Sequence, residues 1–195
     1  MKRIVILASG NGTLAQAIFD AHATGKISAD IVAVISDQKD AEVLQRAERA
    51  KIETFTIPML ADRGEWDREL ETLIAALRPD LVISAGFMRI LSHRITEKFR
   101  IINSHPALLP AFPGAHAVRD ALAAGVSETG TTIHWVDAGI DTGPIIAQEK
   151  VKVLPSDTEE SLHERIKIVE RGLIVATIAS LLPQLDLKIQ EKSNG

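Results

Sequence analysis

The sequence predicts an α/β fold with a doubly wound, mostly parallel sheet that is flanked by helices and extended by late strands into a mixed sheet. Short apolar runs alternate with segments of helical spacing through the first half of the chain, which is typical of parallel strands covered by helices on both faces. A glycine-rich turn, 9–12, follows the first run. Two later strand-like runs are separated by the glycine-containing segment 137–143, which indicates that the sheet becomes mixed there.

The first half of the chain alternates strand and helix without a break. Its strands are rich in apolar and β-branched residues, and its helices carry apolar residues three or four positions apart. Asp40 is a plausible N-cap of the second helix because its side chain can accept hydrogen bonds from the first turn. In chain order, we predict strand 3–8, helix 14–23, strand 30–36, helix 40–50, strand 53–57, helix 63–77 and strand 81–85.

The second half is predicted to contain strands at 101–103, 131–136 and 144–153 and a long final helix at 158–182. The helix is preceded by Ser156-Asp157-Thr158-Glu159. This is the pattern of a capping box, in which two side chains satisfy backbone N–H groups at the start of a helix. We find no internal repeat or linker and expect one domain.

Composition excludes several classes of function. The 195 residues are 46% hydrophobic, enough for one sizeable core, and contain no cysteine, so disulfides and thiolate metal sites are excluded and the cytoplasm is the expected compartment. A net charge of −4 and the lack of a long basic run disfavour nucleic acid as a partner. The apolar run 4–8 is too short for a signal peptide, and no run approaches the ~20 residues that span a bilayer.

The first candidate site is the loop Ser9-Gly10-Asn11-Gly12-Thr13 between the first strand and the first helix. Glycines there allow backbone N–H groups to approach a ligand, and the helix dipole favours an anion such as phosphate. A plain tight turn is an equally good interpretation of this motif alone. It is not a dinucleotide fingerprint, because Ala15 replaces the third glycine and no Walker lysine is present, so a nicotinamide or ATP enzyme is disfavoured.

The second candidate site is Asn103-Ser104-His105-Pro106, where a predicted strand enters a proline-rich loop. Ligands of open α/β sheets bind at the carboxyl ends of strands, and alternation points Asn103 and His105 the same way. A histidine can transfer a proton near neutral pH, although a turn histidine packed under the loop is the alternative. His134 is either a partner of this site or a structural histidine, and we interpret His163 as structural.

The third candidate is the loop 137–144, which carries Asp137 and Asp141 between the two late strands. A carboxylate near His105 would orient the imidazole and stabilise its protonated form. The alternative is an ordinary aspartate-rich hairpin turn. A calcium loop is disfavoured because too few oxygen ligands follow in sequence.

Together, the motifs of this chain carry a specific resemblance. In order and spacing the sequence resembles the glycinamide ribonucleotide formyltransferases over nearly its whole length, and the Asn-x-His and Asp-x-Gly pieces are shared by the wider formyltransferase superfamily. The motifs are Ser9-Gly10-Asn11-Gly12-Thr13, Gly86-Phe87-Met88-Arg89-Ile90-Leu91, Asn103-Ser104-His105-Pro106, Leu108-Leu109-Pro110, Phe112-Pro113-Gly114 and Asp141-Thr142-Gly143-Pro144.

The resemblance implies transfer of the formyl group of 10-formyltetrahydrofolate to the amine of N1-(5-phospho-ribosyl)glycinamide in de novo purine biosynthesis. Asn103 and protonated His105 would stabilise the oxygen of the tetrahedral intermediate, Asp141 would keep His105 protonated, and no metal would be needed. It also implies a single domain, 1–195, with a nucleotide-binding-like half at 1–100 that holds the phosphate loop and a catalytic and folate-binding half at 101–195.

The same resemblance assigns binding residues. Leu14 departs from the family, which usually has asparagine there, so phosphate binding would rest on backbone groups and Thr13. Each assignment has a simpler alternative, namely surface charge for the arginines and Glu170 and core packing for the apolar residues. The phosphate and ribose residues would be Asn11, Gly12, Thr13, Leu14 and Glu170, and the folate residues Arg63, Met88, Arg89, Ile90, Leu91 and Asn103.

Three other functions are compatible with parts of this pattern. Formyltetrahydrofolate deformylase and methionyl-tRNA formyltransferase share the Asn, His and Asp residues, but each normally carries a further domain for which 195 residues leave no room. A non-catalytic ligand-binding protein on the same fold is the third alternative. We expect small-molecule substrates, no membrane partner, and a monomer or homodimer.

Overall fold

A single seven-stranded sheet forms the centre of the protein, with strand order β3-β2-β1-β4-β5-β6-β7. The computed structural model describes residues 1–186, and residues 187–195 of the predicted domain lie outside the described part. Strands β1 to β5 are parallel, whereas β6 and β7 pair antiparallel, which confirms the predicted mixed sheet. The strands are β1 (Lys2–Leu7), β2 (Ala29–Ser36), β3 (Thr54–Thr56), β4 (Leu81–Ser84), β5 (Ile101–His105), β6 (Glu128–Trp135) and β7 (Ile145–Lys152).

The helices follow the predicted alternation, and every predicted helix is present. Two short helices, of six and seven residues, were not predicted, because fewer than two turns contain too few positions to show a helical period. No helix within residues 1–186 is long and apolar enough to cross a membrane. The helices are α1 (Thr13–Ala23), α2 (Glu42–Arg49), α3 (Arg63–Leu77), α4 (His93–Lys98), α5 (Ala117–Ala123) and α6 (Glu159–Leu181), followed by a 3-10 turn at Leu182–Leu185.

The central strand β1 is apolar on both faces because both faces are covered. Ile4 and Ile6 point into a core formed with α1, α2 and α6. Val5 and Leu7 point the opposite way, into a second core formed with α3 and α4. Side chains alternate between the faces of a strand, so the continuous apolar run that predicted this strand reflects its burial on both sides.

The sheet changes direction of growth between β1 and β4. β1 has β2 on one side and β4 on the other, so the loops that leave their carboxyl ends part and open a crevice, as in other doubly wound sheets. The two loops are nevertheless tied together: Ser9 N donates to the Gly86 carbonyl at 3.1 Å, and Met88 N donates to Ser9 Oγ at 2.8 Å. This crevice is where the structure places the candidate site.

Both predicted helix caps occur at other positions. Helix α2 begins after Ala41 in the N-cap position, so the prediction of Asp40 was wrong. The capping box of α6 is formed by Thr158 and Ser161, which exchange backbone-to-side-chain hydrogen bonds of 3.2 and 3.0 Å, and not by Ser156 with Glu159. Asp157 explains the shift, because its carboxylate accepts from Leu154 N at 2.7 Å and holds the preceding residues in a turn.

Replacing Thr158 with alanine should therefore lower the free energy of unfolding by about 1 kcal/mol, or lower Tm by about 2–4 °C for a domain of this size. The same substitution at exposed Ser156 should cost less than about 0.5 kcal/mol. Thermal unfolding of the two variants beside the parent measures both. A greater loss of stability in the Ser156 variant than in the Thr158 variant would contradict this and would show that Ser156 forms the capping box, as the sequence predicted.

Candidate active site

Two cavities adjoin at the carboxyl ends of β1, β4 and β5. Their volumes are about 350 Å³ and about 310 Å³, and each is large enough for part of a small organic molecule. We call them the larger and the smaller cavity. Asn103, at the end of β5, lines both. The other residues that line both are Phe87, Met88, Gly114 and Ala115.

Asp141 brings two histidines together beside Asn103. Its Oδ2 lies 3.3 Å from His105 Nδ1, and its Oδ1 lies 3.4 Å from His134 Nε2. Gly114 N donates to Oδ2 at 2.8 Å, so the carboxylate also fixes the end of the proline-rich loop. Asp141 itself has a φ of 55°, a left-handed conformation that aspartate and asparagine adopt more readily than most residues.

Both ring nitrogens of His105 face oxygen atoms. Its Nε2 lies 2.8 Å from the carbonyl oxygen of Phe112, which can only accept a hydrogen bond. Its Nδ1 faces the carboxylate of Asp141, which when ionised can also only accept. Nε2 therefore donates to Phe112, and Nδ1 is placed to pair with Asp141 when the ring is protonated.

Asp141 is held in its charged form. Burial by itself raises the pKa of Asp141, but hydrogen bonds with His134 and Gly114 and the positive charges of His105 and His134 outweigh burial, so the pKa lies below its ordinary value. The residue is a carboxylate at neutral pH. It therefore supplies the negative charge that stabilises an adjacent imidazolium.

His134 joins the amide of Asn103 to the carboxylate of Asp141. Strands β5 and β6 pair so that Asn103 lies opposite His134, and His134 Nε2 is 3.3 Å from Asn103 Nδ2. Its Nδ1 donates to the carbonyl of Trp135 at 2.8 Å. When neutral, Nε2 accepts from Asn103, and when protonated it donates to Asp141. Of the two sequence interpretations, the structure favours the one that makes His134 a partner of the site.

The glycine loop and the start of α1 form part of the lining of the smaller cavity. Gly12 occupies the N-cap of α1 with a φ of 72° and no side-chain cap, while Thr13 N is satisfied by Asn11 Oδ1 at 3.3 Å. All of the predicted phosphate residues line this cavity. The side chain of Leu14, however, is only 7% exposed and packs in the core, so little more than its backbone faces the cavity.

One face of α6 closes the smaller cavity. His163, Lys167 and Glu170 line it together, and their spacing of four and three residues places them on one side of the helix. Only Glu170 was predicted at this site, whereas His163 was interpreted as structural and Lys167 was not considered. The signal was available, because any helix that brings Glu170 to a ligand also brings the residues three and seven positions before it.

The larger cavity is mostly apolar. Met88, Arg89, Ile90 and Leu91 line it together with the apolar side chains of Phe87, Val136 and Ile140. Polar groups also reach it from Ser84 at the end of β4 and from His134 on β6. Met88 is 74% exposed and Ile90 59% exposed, whereas Leu91 is buried. Met88 and Ile90 therefore expose their side chains at the cavity. The simpler interpretation, core packing, holds for Leu91.

The two arginines of the predicted folate set, Arg63 and Arg89, connect the 88–91 loop to neighbouring parts of the fold. Arg89 lines the larger cavity, but its Nε donates to the fully buried carboxylate of Asp37 at 2.7 Å. Arg63 does not line either cavity. Its guanidinium donates to the carbonyl of Ile90 and pairs with Asp67, and it stacks on Trp66 with 4.8 Å to the ring centroid.

Comparison with known proteins identifies the family. Residues 2–178 match the family described as formyl transferase. The chain belongs to the formyl transferase family. It is 52% identical to a phosphoribosylglycinamide formyltransferase of Mycobacterium tuberculosis over 184 residues, which is 92% of this chain and 84% of the relative. To the Escherichia coli protein of that name it is 43% identical over 180 residues, 90% of this chain and 85% of the relative.

A solved structure extends the likeness of this formyl transferase to its fold. Glycinamide ribonucleotide transformylase 1 from Symbiobacterium toebii superposes with a TM-score of 0.89 and 43% sequence identity, covering 92% of this chain and 86% of that one. The fold predicted from the sequence is therefore that of solved formyl transferases.

The Gly12 conformation generates a prediction for the glycine loop. A Cβ at Gly12 would lie 2.5 Å from the Cβ of Val43, and φ is positive there. Gly12→Ala should therefore lower the free energy of unfolding by about 1–2 kcal/mol, measured by denaturant titration. Gly10→Ala, where nothing lies within 4 Å of the added atom, serves as the matched control. Equal losses in the two variants would contradict the close approach.

Proposed function

We propose that this protein transfers the formyl group of 10-formyltetrahydrofolate to the amine of N1-(5-phospho-ribosyl)glycinamide, a step of de novo purine biosynthesis that we assign to the cytosol. The observation that carries the proposal is the position of Asn103, His105 and Asp141 where the two cavities adjoin. A transfer between two substrates needs both in contact with one set of donors. The names of the relatives agree with this reaction.

The smaller cavity suits a phosphorylated ribosyl amine. The N-terminus of α1 offers a favourable dipole and backbone N–H groups to a phosphate, and Gly12 and Thr13 are part of the cavity lining. Lys167, on the facing helix, adds a cation to the same space. We assign the sugar hydroxyls to Glu170, whose carboxylate can accept their hydrogen bonds.

The larger cavity suits the reduced folate. Its lining of Phe87, Ile90, Leu91 and Val136 favours a flat, largely apolar ring system, and backbone groups of the 88–91 loop provide the polar contacts that orient such a ring. The folate supplies a formyl group that its own nitrogen already activates. We assign Met88 to Leu91 and Asn103 to this cosubstrate and give Arg63 the role of supporting the loop.

Asn103 and His105 then act on the formyl oxygen, which gains negative charge as the amine attacks. The Asn103 amide and the imidazolium are donors fixed in place before the reaction, and one such donor contributes on the order of 100 to 1000-fold in rate. In the structure the Nε2 proton of His105 is held by the Phe112 carbonyl, an acceptor that the formyl oxygen can replace. Asp141 keeps this proton in place through its negative charge.

A direct assay separates this function from its alternatives. We expect folate product to form from 10-formyltetrahydrofolate only when glycinamide ribonucleotide is present, because the attacking amine belongs to that substrate. Release of folate without the ribonucleotide would identify a hydrolase. No release under either condition, with both compounds shown to bind, would identify a non-catalytic binding protein.

Asp141→Asn should lower kcat on the order of 100-fold and change either KM by less than about threefold, since the protonated His105 loses its counter-charge. Asparagine adopts the same left-handed backbone and can still accept from Gly114, so the fold should be retained. The variant should also lose activity at a lower pH than the parent on the alkaline side of a pH–rate profile.

Asp137→Asn is the matched control for this prediction. It removes the same charge from the same loop, but the hydrogen bonds of Asp137 go to Gly139 and Thr142 of its own turn. Because Asp137 also lines the larger cavity, the two variants are compared on kcat and not on KM. The kcat of Asp137→Asn should stay within about threefold of the parent. A comparable loss of turnover in both variants would show that loop charge, and not the contact with His105, is what matters.

A further inference from the structure

Ser104 lies between Asn103 and His105, two of the three proposed catalytic residues, and its side chain points to the opposite face of β5. Alternation along β5 turns its side chain away from Asn103 and His105 and toward α6. There its Oγ donates to Glu170 Oε1 at 2.6 Å, a short, charge-assisted hydrogen bond. Ser104 is only 8% exposed, yet both partners line the smaller cavity. The proposed catalysis uses neither Ser104 nor this contact.

The environment of Glu170 gives the hydrogen bond a purpose. Burial raises the pKa of Glu170, and the hydrogen bond from Ser104 and the charges of Lys167 and Arg171 offset only part of that rise. The residue is therefore a carboxylate whose charge is costly where it lies. A donor that lowers this cost favours the acceptor form, which is the form that sugar hydroxyls require.

The same contact fixes the orientation of the carboxylate. With Oε1 engaged by Ser104, Oε2 is left available to a ligand, and rotation of the carboxylate about its last side-chain bond is opposed by the loss of a short hydrogen bond. The anchor is a strand residue, and strands position side chains more rigidly than loops do.

We propose that Ser104 is a positioning residue for the ribose end of the phosphorylated amine. Its hydroxyl holds one oxygen of Glu170 so that the other is presented, ionised, to the hydroxyl groups of the sugar. This inference rests on the proposed function, because it takes a ribosyl phosphate as the occupant of the smaller cavity.

The test is steady-state kinetics on Ser104→Ala with each substrate varied in turn. The KM for the ribonucleotide should rise about tenfold, the equivalent of one lost hydrogen bond to a charged group. The KM for 10-formyltetrahydrofolate and kcat should stay within about threefold, because the 88–91 loop and the His105 cluster are untouched. Ser104→Thr, which keeps the hydroxyl, should restore the KM for the ribonucleotide.

The pH dependence provides a second readout. Without the hydroxyl, Glu170 takes up a proton more readily, so the rise in KM should be larger at pH ~6 than at pH ~8. The other charged or titratable groups near Glu170 are His163, Lys167 and Arg171 on α6 and His105 on β5. They are the same in parent and variant, so the ratio of the two KM values at each pH isolates the effect of Ser104.

A double-mutant cycle with Glu170→Gln tests whether Ser104 acts through Glu170. If it does, Ser104→Ala should add little to the KM of a Glu170→Gln enzyme, since contacting residues are not additive. Three results would overturn the proposal: additive effects of the two substitutions, equal changes in both KM values, or a loss of thermal stability with both KM values unchanged. Ser104 would then be a structural residue that links β5 to α6. A parent enzyme that fails to form folate product would overturn the proposed function instead, before any variant is compared.

Discussion

The divergence of the loops after β1 and β4 is the constraint on which the rest of the site depends. β1 lies between β2 and β4, so the chain leaves the two strands in different directions and a crevice opens between their loops. The hydrogen bonds from Ser9 to Gly86 and from Met88 to Ser9 join the two loops. β5 pairs with β4, which delivers Asn103 and His105 to the edge of the crevice.

The sequence predicted the fold well because its strongest signals are ones that tertiary packing reinforces. The run around Ile4 to Leu7 is apolar throughout because two helix layers cover it, and the 137–143 segment is too short for a helical crossover, which forces β6 and β7 antiparallel. The failures are local. The N-cap of α6 is Thr158, because the carboxylate of Asp157 accepts from Leu154 N and keeps the preceding residues in a turn. Helix propensity alone does not rank such competing side-chain hydrogen bonds.

The candidate site was predictable where residues lie at strand ends and less so where contacts cross the fold. Asn103 and His105 follow from position at the end of β5, and alternation along β6 already offered His134 as a partner. That His134 meets Asn103 depends on the β5–β6 register, which no pattern within either strand reveals. Arg63 was assigned to the folate by resemblance alone, and that assignment stays a prediction. In the structure its guanidinium contacts Trp66, Asp67 and the carbonyl of Ile90, a residue that lines the larger cavity.

The cluster around Asp141 also has a charge constraint of its own. One carboxylate faces two imidazoles, and a single negative charge balances at most one imidazolium in a space this closed to solvent. Each imidazole has one ring nitrogen committed to a backbone carbonyl, His105 Nε2 to Phe112 and His134 Nδ1 to Trp135. The other nitrogen of each ring faces Asp141, and His134 Nε2 also contacts Asn103 Nδ2. Asp141 therefore positions both proposed oxygen donors, His105 by direct contact and Asn103 through His134.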